Sequence, residues 1–142
     1  MLRRRSELAY PSPLWGGSSA EAHSAKADGV GVEQMSETLR RVQTLVLSGD
    51  YLVTDHGYDE LDEDGILADD ALFGIASAIL VEDYPDRARG PSVLTLQYDS
   101  NGRAIHVVWA IPLGERRPAV LVTAYRPNPA LWGNEFKERK KP

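Results

Sequence analysis

Ser92-Val93-Leu94-Thr95-Leu96-Gln97-Tyr98-Asp99-Ser100-Asn101-Gly102-Arg103-Ala104-Ile105-His106-Val107-Val108-Trp109-Ala110-Ile111 is the stretch from which the fold can be read. Two runs rich in β-branched and aromatic residues flank Asn101-Gly102, a dipeptide that suits the left-handed positions of a type I′ hairpin turn. A two-residue loop sets the register. Tyr98 then faces Ile105, Gln97 faces His106, Leu96 faces Val107 and Leu94 faces Trp109. Side chains alternate along a strand, so Leu94, Leu96, Tyr98, Ile105, Val107 and Trp109 share the expected core face. Thr95, Gln97, Asp99 and His106 fall on the other face, with Val93, Val108 and Ala110. A slip of one residue reverses this assignment.

Outward from the hairpin, Ala78–Glu82 and Ala119–Tyr125 read as two more strands, and Tyr51–Thr54 as a short β-rich run. Leu39, Val42, Leu45 and Val46 line one face of a helix over about 37–47, with Ser36 as its cap and Gly49 as its stop. Thr54 or Asp55 caps a second helix over about 55–63, and Ala68–Ala76 reads as a third. Helices followed by a run of strands predict an α+β domain, with N-terminal helices packed on a small antiparallel sheet of about four strands.

The 142 residues suit one domain. Residues 1–34, rich in Pro, Gly and Ser and without periodicity, are expected to form a disordered leader. A second reading starts the native product at Met35. The domain is expected over 35–132, followed by a basic tail over 133–142. No cysteine is present, which excludes disulfides and thiolate chemistry and suits a reducing cytoplasm. No apolar run approaches a membrane span.

Charge is unevenly placed. Residues 36–86 carry two Lys/Arg against 13 Asp/Glu, a net of −11, whereas residues 87–142 carry ten against four, a net of +6. The plain reading is mixed surface charge; the sharper one is a C-terminal basic face that meets phosphate.

Three histidines exist, and His23 lies in the leader. His56 opens the second helix and His106 sits in mid-strand. Either is a candidate general acid or base near neutral pH. The alternative makes His106 a sheet residue bonded to Gln97, and His56 a helix-start residue. His56 and Glu60 share a helix face, but a metal site needs a third ligand placed by the fold, and a solvated acidic helix is the simpler account. Arg126, at the end of the last strand, is a candidate phosphate clamp, and Tyr125 a proton donor or stacking surface.

From Asp50 to about Trp132 the chain resembles the bacterial domain of unknown function 4258. The resemblance rests on His56 opening a helix that ends in Gly65-Ile66, on Glu82-Asp83-Tyr84-Pro85, on Ile105-His106-Val107-Val108, and on Val122-Thr123-Ala124-Tyr125-Arg126-Pro127-Asn128-Pro129. It implies a fold related to RelE-like and MqsR-like ribonuclease toxins, paired with a small antitoxin encoded nearby. It also implies cofactor-free and metal-free RNA cleavage, with His56, His106, Tyr125 and Arg126 as catalytic residues. The sequence departs from the family pattern His-Ala-x-x-Arg-Met-x-x-Arg-Gly-Ile. Gly57 stands for the Ala, Glu60 and Asp64 for the two Arg, and Leu61 for the Met. Eight carboxylates between 55 and 70, with no Lys or Arg, repel RNA there. RNA would then approach the basic sheet side. The competing reading is a noncatalytic module whose acidic helices dock a basic partner.

Overall fold

The Ser36 hydroxyl accepts a hydrogen bond from the Leu39 amide at 3.0 Å and so opens the first described helix, α1, Glu37–Leu47. The computed structural model of the chain describes residues 36–140. The expected leader, with His23 and the start at Met35, lies outside the described residues. Helix α1 buries Leu39, Val42 and Val46, the apolar stripe read from the sequence. Strand β1, Tyr51–Val53, follows. Thr54 then caps α2, Asp55–Glu63, with its hydroxyl accepting from the Gly57 amide at 2.8 Å. Helix α3 covers Ala68–Phe73, shorter than expected, because the chain tightens into a 3-10 turn over Gly74–Ser77.

The remaining described strands of the main sheet are β2, Ile79–Tyr84, β3, Ser92–Tyr98, β4, Ala104–Ala110, and β5, Ala119–Tyr125. The sheet has five strands in the order β1-β5-β4-β3-β2, rather than four. It is also mixed rather than antiparallel, because β1 joins β5 in parallel. A three-residue strand paired to a segment some 70 positions away carries no local signal of its direction.

The hairpin register differs from the expected one by a single residue. Tyr98 pairs with Ala104, Gln97 with Ile105, Leu96 with His106 and Val93 with Trp109. The physical reason is Asp99. Its Oδ1 accepts from the amides of Asn101 and Arg103, both at 2.9 Å, and its own amide donates to the Arg103 carbonyl. The loop thus has three residues, Ser100-Asn101-Gly102, with only Gly102 left-handed at φ +80°. This is the type I turn with a bulge, the next most common hairpin connection.

The slip moves β3 by one face. Val93, Ile105, Val107, Trp109, Leu121 and Ala124 form the main core against the three helices. Thr95 and Gln97 are also on that side, fully buried, and they are satisfied by a polar ladder. Gln97 Oε1 accepts from the Trp109 indole at 3.0 Å, and its amide donates to the Ala71 carbonyl at 2.8 Å. The Thr95 hydroxyl lies 2.9 Å from Gln97 Oε1 and 3.0 Å from the Val107 carbonyl, so its single proton serves one of them. Leu94 and Leu96 project instead to the second face, beside His106, Val108 and Ala110.

That second face is covered too. Residues 133–140, expected as part of a basic tail, fold back on the sheet. Strand β6, Trp132–Gly133, pairs with β7, Glu138–Arg139, in a small antiparallel hairpin. Trp132, the last residue of the expected domain, is the first residue of that hairpin. Among the described residues, no helix is long and apolar enough to cross a membrane.

Candidate functional site

The pairing of β4 with β5 sets His106 directly beside Tyr125 on the second face of the sheet. Their rings meet edge to face, 5.3 Å between centroids, and His106 Nδ1 lies 3.2 Å from the Tyr125 hydroxyl. The other ring nitrogen, Nε2, is 2.9 Å from the Phe136 carbonyl oxygen. A carbonyl can only accept, so Nε2 carries the proton. Nδ1 is then the acceptor, and the Tyr125 hydroxyl donates to it.

Burial pushes the two groups in opposite directions. His106 falls to about 4, chiefly through desolvation; the Phe136 carbonyl and the Glu82 charge oppose this, and Arg139 adds to it. Tyr125 rises to about 12, again chiefly through desolvation. At neutral pH the pair is therefore an unprotonated imidazole facing a protonated phenol. Burial thus holds both groups in their neutral forms.

Around the pair stands a cluster that the sequence reading did not single out. Trp132 meets His106 edge-on at 4.5 Å. Arg139 stacks over the Trp132 ring at 4.8 Å and forks onto Glu82, with Nε at 2.7 Å from Oε2 and the second nitrogen at 3.0 Å from Oε1. The Tyr84 hydroxyl donates to the same Glu82 carboxylate. Burial, and then that bond, hold the Tyr84 phenol above its usual range. A signal for two of these residues was present. Glu82 and Tyr84 are two apart on a strand, so they share a face. Arg139 was hidden because a run of Lys and Arg near a chain end reads as a solvated tail.

The other expected site residues lie elsewhere. Helix α2 packs on the core face, where Leu61 is buried, whereas His106 projects from the opposite face. His56 and His106 therefore do not meet across the sheet. His56 is about one-third exposed, with Nε2 3.7 Å from Glu60 Oε2. Arg126 is held at the sheet end. Its guanidinium is 2.9 Å from Asp99 Oδ2 and donates to the Ala104 carbonyl at 3.3 Å, while its amide donates to Asp64 at 2.8 Å. The bonds from the Arg103 amide, with those from Arg126 and Asn101, keep Asp99 below the usual carboxylate range. Arg126 thus braces the hairpin turn and is not in the His106 cluster. Among the described residues, no three His, Cys, Asp or Glu side chains are grouped to hold a metal ion.

No curated protein and no solved structure matches the chain. A family model does match, that of a domain of unknown function, DUF4258, over residues 53–126, just over half of the chain and running from the last residue of β1 past the end of β5. The stretch includes Glu82, Tyr84, His106 and Tyr125 and stops short of the β6–β7 hairpin. The chain belongs to the DUF4258 family.

Proposed function

We propose that the protein is a metal-independent ribonuclease of toxin type, related to the RelE-like and MqsR-like toxins. It would act in the cytoplasm and be held in check by a small antitoxin. The observation that supports this reading is the His106–Tyr125 pair, a neutral imidazole hydrogen-bonded to a protonated phenol on the sheet face away from the acidic helices. In the reaction, the 2′-hydroxyl of RNA attacks the adjacent phosphorus and gives its proton to the imidazole. The bond from phosphorus to the 5′-oxygen breaks, and that oxygen takes the phenolic proton. The products are a 2′,3′-cyclic phosphate and a 5′-hydroxyl, and no cofactor is consumed. Lys137, Arg139 and Lys140 lie on the β6–β7 hairpin beside the pair, with Glu135 and Glu138, and would supply positive charge for backbone contacts.

Expression of the full chain in a bacterial host tests this, beside Tyr125→Phe and His106→Gln made at equal soluble level. Growth arrest with RNA cleavage, lost in both variants, is expected. Normal growth with soluble, folded protein would overturn it.

A second reading is supported by the opposite surface. Asp59, Asp62, Glu63 and Asp69 are exposed on α2 and α3, and Leu67 and Phe73, which bracket α3, are 67% and 74% exposed. An acidic surface with exposed apolar side chains suits a basic amphipathic partner. Under this reading the protein is a noncatalytic binding module. Neutralising Asp59, Asp62 and Glu63 would then abolish partner capture, while His106→Gln would not.

A further inference from the structure

His106 is shut in, while its partner Tyr125 stays partly exposed. His106 is completely buried, and both ring nitrogens are engaged. Beyond its strand neighbours Leu96 and Tyr125, the β6–β7 hairpin closes over it. That hairpin supplies the Phe136 carbonyl on Nε2, the Trp132 ring on the imidazole and the Arg139 fork on Glu82. Its own construction is slight. Each strand has two residues, and two-stranded ribbons of this size are marginal without tertiary support. Trp132 is its one buried side chain. Its loop places three successive non-glycine residues, Asn134, Glu135 and Phe136, in the left-handed region at φ 51°, 57° and 70°. Each is disfavoured there by Cβ crowding against the following carbonyl. The closed position is therefore held by Trp132 and the Arg139–Glu82 fork against a strained loop.

We infer that the β6–β7 hairpin is a strap over the His106–Tyr125 pair, latched by Arg139 on Glu82, and that a single-stranded polyanion opens it by taking Arg139 from that carboxylate. This rests on the proposed role of the pair and adds how access to it is controlled. The chemistry of the latch supports a phosphodiester as the opener. Arg139 already binds a planar oxyanion through two parallel bonds, the geometry in which guanidinium also binds phosphate. Its side chain is about half exposed, so a competing anion can reach it without prior unfolding. Lys140 follows it on the same strap, and Lys137, 3.8 Å from Glu135, lies two residues before it with Glu138 between. Opening would free the imidazole from the Phe136 carbonyl and uncover Glu82 and Tyr84 beside it. The strap would thus leave the site as the substrate backbone arrives.

Carbethoxylation of histidine in the full chain, located by mass spectrometry after short exposure to diethyl pyrocarbonate, tests the latch without reference to activity. In the wild type, His56 is modified and His106 is protected. In Arg139→Gln, and independently in Glu82→Gln, modification of His106 rises roughly tenfold or more, corresponding to loss of about 1.4 kcal/mol from the closed state. Helical circular dichroism and cooperative unfolding stay unchanged. Adding a 2′-O-methyl RNA oligonucleotide, which binds but cannot be cleaved, raises His106 modification in the wild type at low salt. Protection of His106 unchanged in a folded latch variant, or unaffected by the oligonucleotide, overturns the inference. Folded wild type whose His106 is exposed by the oligonucleotide, yet which leaves cleavable RNA intact, would sustain the latch and remove the ribonuclease reading. RNA cleavage that needs Tyr125, with His106 equally protected in all variants, would do the reverse.

Discussion

Acidification should weaken this fold through one residue, His106, in the pH range between its two ionisation constants. Unfolded, the imidazole titrates near 6.5; folded, burial lowers it to about 4. The unfolded chain therefore binds a proton that the native state refuses between those values, so stability rises with pH across the window. The contribution is fully present above about pH 6.5 and is lost as pH falls through about 4. A difference of about 2.5 units corresponds to roughly 3 kcal/mol. That is a large part of the 5–15 kcal/mol typical of a domain. The residue is 0% exposed, so solvent screening does not reduce the figure. The charged groups that face it, Glu82 and Arg139, are paired with each other and offset one another. Urea unfolding followed by tryptophan fluorescence from pH 7.5 to 4 gives the profile, and the same series on His106→Gln isolates the histidine from the carboxylates. The gap between the two proteins should be constant above about pH 7 and shrink by about 3 kcal/mol on going to pH 4. A gap that stays flat across the range, or an imidazole that titrates at 6.5 or above by NMR in the native state, would refute the reasoning.

Three further outcomes are expected. Gln97→Leu strands the Trp109 indole and the Ala71 carbonyl in the core, and should cost about 3 kcal/mol in chemical denaturation. A solvated Gln97 would lose almost nothing. Gly90→Ala should cost about 3 kcal/mol or more by thermal unfolding, since φ is +128° and a Cβ there would sit 2.1 Å from the Ile111 carbonyl oxygen. His56→Ala should leave RNA cleavage at the wild-type level, because α2 packs on the face of the sheet opposite His106. Loss of cleavage in that variant would return His56 to the site.

The helices were legible because their signals are local. Ser36 and Thr54 cap the segments that they precede, and the spacing of Leu39, Val42 and Val46 marks the buried stripe. Strand β5 was legible at its bounds for the same reason, as a continuous apolar run. The hairpin register was not, because two signals compete at one turn. Asn101-Gly102 favours a two-residue loop, and the Asp99 carboxylate, which takes two loop amides, favours three. Hydrophobic alternation could not arbitrate. Both Val93 and Leu94 are buried, with helices packed on one face of the sheet and the C-terminal hairpin reaching the other at His106 and Glu82. That same covering explains the candidate site. His106 and Tyr125 were nameable one at a time, but their contact depends on the pairing of β4 with β5. Glu82 and Arg139 meet across 57 positions of chain, and no local pattern announces such a pair.

Cleavage of a defined single-stranded RNA by the purified full chain, in chelator and at neutral pH, tests the central claim most directly. Wild type should yield fragments ending in 2′,3′-cyclic phosphate and 5′-hydroxyl. His56→Ala should match it, and Tyr125→Phe and His106→Gln should be inactive while folded. RNA left whole by folded wild type, or cut equally by Tyr125→Phe and His106→Gln, would contradict the account.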